Sequence, residues 1–335
     1  MNPEFHRILR SPTLWIGLVA VASLPFFLPN YYLHIATLTL VYIALASAWN
    51  IVGGIAGQLS LAHSLFVGAG GLLASALLLK LGVNLWVGAL VAAAVSAALG
   101  AAIAWLDFRF RLGHLTFALI TLAFAEMAEI IVIGWEFLGG ASGLFLPKDT
   151  GQFSQMQFGG VQGSFWVMLT LAAAAILANL IVLNAPLGYY LRSIRDNENA
   201  AQAIGVGLLG NKIKAMVISG VLTSLVGTAY ARYLTFADPY LLASPVLTIE
   251  IVLFATVGGL GRAFGPALGA LLLVPLGEVL RGKLGGVLPG LHYFLYGATV
   301  IAVIMLTPRG LLPLLQDLFA RKTRSAAPAA PSRTH

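Results

Sequence analysis

The chain alternates long apolar runs with short polar interruptions. Runs close to the ~20 residues that cross a bilayer as helix cover 13–29, 33–52, 57–80, 84–106, 114–135, 164–183, 214–235, 247–260, 265–281 and 291–307. The pattern predicts an all-α polytopic membrane protein of about ten transmembrane segments, some broken or re-entrant. The eighth run is short and ends in Gly258-Gly259-Leu260-Gly261, which marks it as a broken or re-entrant piece. Two interruptions are long. Residues 136–163 are glycine-rich and lack an apolar span, so they either connect two helices or meet a partner on that side. Gly188–Lys214 is charged, with Arg192, Arg195, Asp196, Glu198, Lys212 and Lys214 inside a chain that is otherwise nearly free of charge.

Composition agrees with the pattern. Of 335 residues, 59% are apolar and 9% charged, against roughly a quarter charged in soluble domains. There is no cysteine, which excludes a disulfide, a thiolate metal site and a cysteine nucleophile. The net charge of +7 is spread over loops between apolar spans and does not imply nucleic acid. If the N-terminus is cytoplasmic and all ten runs cross, inner segments hold fourteen of the 19 Lys and Arg residues, and the outer side holds Lys80, Lys148, Arg232, Arg281 and Lys283. The positive-inside rule then places both termini and the Gly188–Lys214 insert in the cytoplasm. Arg281 and Lys283 fit this sorting least well. The first run follows Arg7 and Arg10 without a cleavage-site pattern and reads as a retained helix. The expected organisation is a transmembrane domain over 1–320, with a cytoplasmic loop 184–214 and a periplasmic loop 136–163, followed by an Ala-, Pro-, Ser- and Arg-rich disordered tail over 321–335.

The cytoplasmic insert predicts a short helix. Asp196 or Asn197 caps it, Glu198–Ile204 propagate it, and Gly205 and Gly207 stop it. Its small residues Ala200, Ala201 and Ala203 allow close approach, so it is either a docking element for a soluble protein or an ordinary solvated loop. Asn50–Gly71 breaks the apolar pattern in another way. Gly53, Gly54 and Gly57 can unwind a helix, and Gln58, Ser60, His63 and Ser64 then offer polar groups. Non-helical backbone at membrane depth is tolerated when buried in protein or lining a water-filled cavity; the other reading is a plain turn between two spans. His63 reads as a packed, hydrogen-bonded histidine. Glu126 and Glu129 share one face of the fifth span. A carboxylate at mid-bilayer costs about 2.5–3.5 kcal/mol, so this pair belongs against protein or water, as a wall of a pathway, in interhelical hydrogen bonds or, in a rival reading, as a proton site. Gly258–Gly269 forms a second glycine-rich corner. No phosphate-binding G-x-x-x-x-G-K-[ST], no H-E-x-x-H and no G-x-S-x-G occurs, so the chain carries no enzyme signature of these kinds and implies no cofactor.

Six stretches in register resemble the membrane subunit of branched-chain amino-acid ABC importers, the M type (LivM) more than the H type. They are AGQLSLAH (Ala56–His63), TLAFAE (Thr121–Glu126), GGASG (Gly139–Gly143), LRSIRDNENAAQAIG (Leu191–Gly205), Gly258–Gly269 and PRGL (Pro308–Leu311). Ala62, Tyr189 and Arg262 depart from the family's usual residues. The resemblance implies an ABC importer permease fold in the cell inner membrane. It implies transport of branched-chain amino acids, with urea or short amides as the alternative, and no ATPase site of its own. The implied partners are an H-type permease subunit, two cytoplasmic ABC ATPases and a periplasmic solute-binding protein. Arg192, Arg195, Asp196, Asn197, Glu198, Ala200, Ala201 and Gly205 are the implied ATPase-coupling residues. Asp196 and Glu198 are expected to meet basic residues of the ATPase. Gly57, Gln58, Ser60, His63, Thr121, Glu126, Gly258 and Gly259 are the expected path.

Overall fold

The computed structural model describes residues 12–149, 151–284, 291–307, 310–314 and 316. The predicted tail over 321–335, Arg7 and Arg10, and Pro308 and Arg309 of the PRGL stretch lie outside the described residues. The chain runs through α1 (Pro12–Phe27), α2 (Asn30–Ile55), α3 (His63–Leu81), α4 (Leu85–Phe110), α5 (His114–Gly134), α6 (Val161–Asn184), α7 (Pro186–Asp196), α8 (Glu198–Ala203), α9 (Leu208–Leu234), α10 (Pro239–Leu242), α11 (Pro245–Gly258), α12 (Gly265–Leu284) and α13 (Leu291–Leu306). Among the described residues, seven stretches are long and apolar enough to cross a membrane: α2 to α6, α9, and α10 with α11. Shorter apolar helices lie in α1 and α13. α12 is 20 residues long, with Arg281 and Lys283 in its last turn.

α2 is the central post. It packs along α6, α9, α11 and α12, and 89% of its apolar core is buried. Its sequence explains why. It is apolar or small on every face, which suits a helix surrounded by others, and its Thr37 and Thr39 hydroxyls donate to the carbonyls of Leu33 and Ile35, each at 2.8 Å. Beside it, α4 and α9 lie together where Gly100 meets Met216 and Gly220 meets Ser96.

The structure moves several predicted boundaries. The third span begins at His63, because Gly57 takes φ +72° and ends the helix; residues 57–62 return into the bundle without helical structure. The seventh span begins at Leu208, not Lys214. Asn211 and Lys212 are buried in its first turns, where their polar groups have partners. The eighth reaches back to Pro239, interrupted at Ala243-Ser244, with Pro245 starting its longer part. The glycine-rich loop after α5 is knitted to the end of α9 by a two-stranded antiparallel ribbon, β1 (Leu144–Phe145) with β2 (Phe236–Ala237), pairing Leu144 with Ala237 and Phe145 with Phe236.

The bundle thus has an elbow end, carrying α7 and α8, and a loop end, carrying β1 and β2. The charged groups divide between them. Lys212 pairs with Asp107 at the foot of α4, Arg195 reaches the α2 turn, and the Arg262 guanidinium donates to Gln316. At the other end Lys80 donates to the Glu136 carbonyl and Arg232 to that of Pro147.

Candidate functional site

The elbow forms from local signals. Pro186 starts α7 with its fixed φ and its missing N–H at a position where none is needed. Asn197 then breaks the helix with extended backbone, and its side chain accepts from the Ala200 N–H at 3.0 Å, which caps α8. Gly205, at φ +90°, closes the far end. The predicted short helix is present, with Asn197 as its cap. The amphipathic α7 before it escaped the sequence reading, because its polar positions merged with the insert.

The predicted coupling residues divide by what they touch. Arg192 turns back onto the end of α6, donating to the carbonyls of Gly188 and Leu183 at 3.1 and 3.2 Å. Ala201 is buried with Ile194 and Leu208, so it holds α8 to the body of the chain. Arg195 donates to the Gly54 carbonyl at 3.2 Å and pairs with Asp196 at 3.3 Å. Glu198 pairs with Lys212 of its own chain at 2.7 Å. Asp196, Asn197 and Ala200 stand in solvent, as does Ile204, which is 79% exposed. Ile204 is a feature that sequence reading missed; an apolar residue next to a stop glycine had looked like ordinary helix propagation.

Beneath the elbow lies a polar corner. Asn50 Nδ2 donates to Asn179 Oδ1 at 2.8 Å and to the Arg262 carbonyl at 3.1 Å, while its Oδ1 accepts from the Gly261 N–H at 2.9 Å. Asn179 in turn donates to the carbonyls of Ser47 and Ala175. The two glycine-rich stretches meet here. A Cβ on Gly54 would stand 1.9 Å from Asn50 Oδ1 and 2.5 Å from the Gly261 nitrogen. A Cβ on Gly57 would lie 2.2 Å from the Arg195 side chain. Only bare backbone lets Arg195 cross this turn and reach Gly54.

Next to the corner, Lys212 Nζ bonds both Asp107 Oδ2 at 2.8 Å and Glu198 at 2.7 Å. Gln58 Nε2 adds a 2.6 Å bond to the same Asp107 oxygen. Lys212 and Asp107 are almost fully buried, at 3% and 2% side-chain exposure. Two opposite charges so deep in the protein persist because each has a close partner and further hydrogen bonds.

Of the predicted path residues, Gln58, Ser60, His63 and Thr121 are buried along the return limb. Thr121 Oγ1 accepts from the Leu61 N–H, the Trp49 indole donates to the Ser60 carbonyl, and His63 Nε2 meets Ser219 Oγ at 2.7 Å. Ser219 Oγ donates to the Ala48 carbonyl, so His63 donates to it; this is a packed, hydrogen-bonded histidine. The polar return limb is therefore both a turn and a non-helical piece buried in protein. Gly258 packs backbone to backbone against Gly265 and Gly269. Gly259, at φ +122°, meets Gly310.

Glu126 stands apart from this group. It lies on the exposed side of α5, a span of which only 28% is buried. Neither Glu126 nor Glu129 has a hydrogen bond or cation partner among the described residues.

Comparison with known proteins gives a consistent picture. The family model described as branched-chain amino acid transport system / permease component matches residues 31–304. The high-affinity branched-chain amino acid transport system permease protein LivM of Escherichia coli K12 is 27% identical, over 92% of this chain and 76% of its own length. A probable branched-chain amino acid transport permease protein LivM of Methanocaldococcus jannaschii is 28% identical over 58% of this chain and 59% of its own. The autoinducer 2 import system permease protein LsrC of Shigella flexneri is 25% identical over 83% of this chain and 81% of its own. No solved structure matches the chain.

Proposed function

Because the chain belongs to the branched-chain amino-acid transport permease family, we propose that it is the M-type membrane subunit of an importer for branched-chain amino acids, driven by ATPases docked on its elbow. The elbow end then faces the cytoplasm, a reading that the sorting of Lys and Arg supports. Both termini lie on that side. The solute is the finer step, since relatives of similar likeness carry names for different cargo; urea and short amides are the alternative cargo.

One observation carries the reading. The elbow offers an exposed surface of Ile204, Ala200 and Asp196 while being tied by Arg195 to the α2 turn and by Glu198 to Lys212 of α9. A force on that surface reaches two spans through direct bonds. Coupling requires the elbow to interact differently with two states of an ATPase, and the buried ties then turn that difference into tilt of α2 and α9. Glu198 serves within the chain, and Asp196 is the acidic group left for a basic residue of the ATPase.

The bare face of α5 supports a second membrane subunit. Two carboxylates facing lipid would be costly; against an H-type permease, across a watered pathway, they are not. The loop end is the natural landing place for a periplasmic binding protein.

The test is Ile204→Asp in the reconstituted importer. Replacing an exposed apolar anchor by a charge leaves the fold of this chain intact and should lower ATP-driven uptake about tenfold or more, the size of a lost interface anchor. Uptake equal to wild type sinks the docking role. Affinity of the soluble receptor for leucine, valine, urea and short amides, measured alongside, decides the cargo.

A further inference from the structure

Between the elbow and the spans lies a cleft of about 130 Å³. Its floor holds the buried Lys212, Asp107 and Gln58. These groups are not saturated by one another. Both bonds to the Asp107 carboxylate fall on Oδ2, and among the described residues Oδ1 accepts none. Gln58 Oε1 likewise accepts none, since the amide donates through Nε2. Lys212 has three N–H donors and uses two.

One wall is the start of α5, formed by Gly113 and His114. This helix is 21 residues long and has no side-chain cap. Its first intrahelical bond runs from the Phe117 N–H to Gly113, so the N–H groups before it are open to an anion. The remaining wall is apolar, made by Ala56, Leu112, Phe117 and Ile194.

We propose that this cleft binds a free aliphatic α-amino acid as its zwitterion, and that occupancy restrains the elbow. The carboxylate sits at the α5 N-terminus beside the spare Lys212 proton. The ammonium sits against Asp107 Oδ1 and Gln58 Oε1. The side chain lies on the apolar wall. A bare anion would meet the Asp107 and Glu198 carboxylates, and a bare cation would meet Lys212; a molecule with both charges on one α-carbon satisfies each. The cleft is open, and its volume lies a little below the ~150 Å³ that admits benzene into an engineered cavity, so it takes the charged head of an aliphatic amino acid and part of its side chain. A ligand here touches Ile194 and Glu198 of the elbow on one side and Phe117 at the start of α5 on the other, so it ties the elbow to a span outside its bonded set and resists the tilt of α2 and α9. The inference rests on the import reading above: the delivered amino acid then returns to the cleft from the cytoplasm and slows its own entry.

The experiment uses the whole importer in nanodiscs, without the soluble receptor, and radiolabelled leucine. Saturable binding at one leucine per copy of this chain is expected. The matched oxo-acid, which lacks the ammonium, and isoamylamine, which lacks the carboxylate, should not compete. Gly113→Asp is the informative variant. A Cβ at Gly113 has nothing within 4 Å, and its φ −69°, ψ 161° suits an aspartate cap. The new carboxylate covers the open N–H groups, so thermal stability should hold or rise while leucine binding is lost. In proteoliposomes, leucine on the ATPase side should slow receptor-dependent uptake by wild type about fivefold or more, the usual scale of coupling between two sites. No saturable binding into the millimolar range overturns the cleft, as does equal binding by Gly113→Asp or equal competition by the oxo-acid. If those results come with normal leucine uptake, the import reading stands without the cleft. Absence of receptor-dependent uptake of any aliphatic amino acid overturns the reading instead, whatever the binding assay shows.

Discussion

α2 and α5 are nearly equal in mean hydropathy, 1.8 and 2.0, yet 89% of one apolar core is buried within the chain and 28% of the other. Hydropathy reports only that a segment leaves water. It does not say whether the segment meets lipid, its own chain or another subunit. The polar residues carry that information. On α2, Thr37, Thr39 and Asn50 are buried and bonded within the chain. On α5, Glu126 is exposed and has no hydrogen bond or cation partner among the described residues. A span whose polar groups close on themselves is a structural post. A span whose carboxylates remain open leaves them to lipid, to water or to another chain.

The largest expected effect breaks the post. Asn50→Leu removes the donor to Asn179 and Arg262 and the acceptor for Gly261. Each buried group left unpaired costs roughly 1–3 kcal/mol, so the chain should lose on the order of 3–5 kcal/mol, a large part of the stability of a typical fold. Fluorescence-detected size exclusion in detergent should show a much lower melting temperature and little monodisperse protein. A variant melting beside wild type would mean that the two glycine-rich corners hold together without Asn50.

Glu126→Leu makes the opposite pattern on α5. The lone chain loses no bond, so its melting should stay within about 0.5 kcal/mol of wild type. Insertion of α5, scored by glycosylation of a reporter, should become easier by about 2.5–3.5 kcal/mol, the cost of a carboxylate at mid-membrane. Uptake by the assembled importer should nonetheless fall about tenfold, as expected when a charged hydrogen-bonding group is removed from its partner. Lower stability of the lone chain would place Glu126 among the residues that hold this fold together.

This contrast also explains what the sequence could disclose. Features that rest on near neighbours were legible: the Asn197 cap, the Gly205 stop, the helix break at Gly57 and the apolar spans. Features that join distant positions were not. Asn50 and Asn179 are 129 residues apart and Asp107 and Lys212 are 105 apart, and no periodicity connects either pair. Lys212 misled directly, because hydropathy reads an isolated lysine as the edge of a span whereas its two carboxylate partners let it enter one. The residues of the expected coupling set lie together on the elbow, but side-chain spacing alone cannot show that Arg192 turns inward and Ile204 outward.

The smallest effect concerns the loop that leaves α5. Asp149 clasps it, accepting from the Gly160 N–H at 2.7 Å and the Gly151 N–H at 2.9 Å. These bonds, that to Gly160 first, hold its carboxyl below the usual carboxylate range, with help from the Arg232 charge. A carboxyl with a lowered folded pKa contributes stability that is present above its unfolded pKa, near 4, and lost as pH falls through the folded value. The clasp should therefore be indifferent to pH from neutrality down to about 5 and loosen only below about 4. Hydrogen exchange at Gly151 and Gly160, corrected for the intrinsic pH dependence, should rise a few-fold over that acid range, while the α2 amides stay protected. Asp149→Ala should show the faster exchange at every pH. Because the carboxylate is exposed, salt screens the Arg232 contribution and leaves the two backbone bonds, so the acid loosening should survive at high ionic strength. Loosening that instead vanished with salt would assign the clasp to the ion pair rather than to the glycine N–H groups.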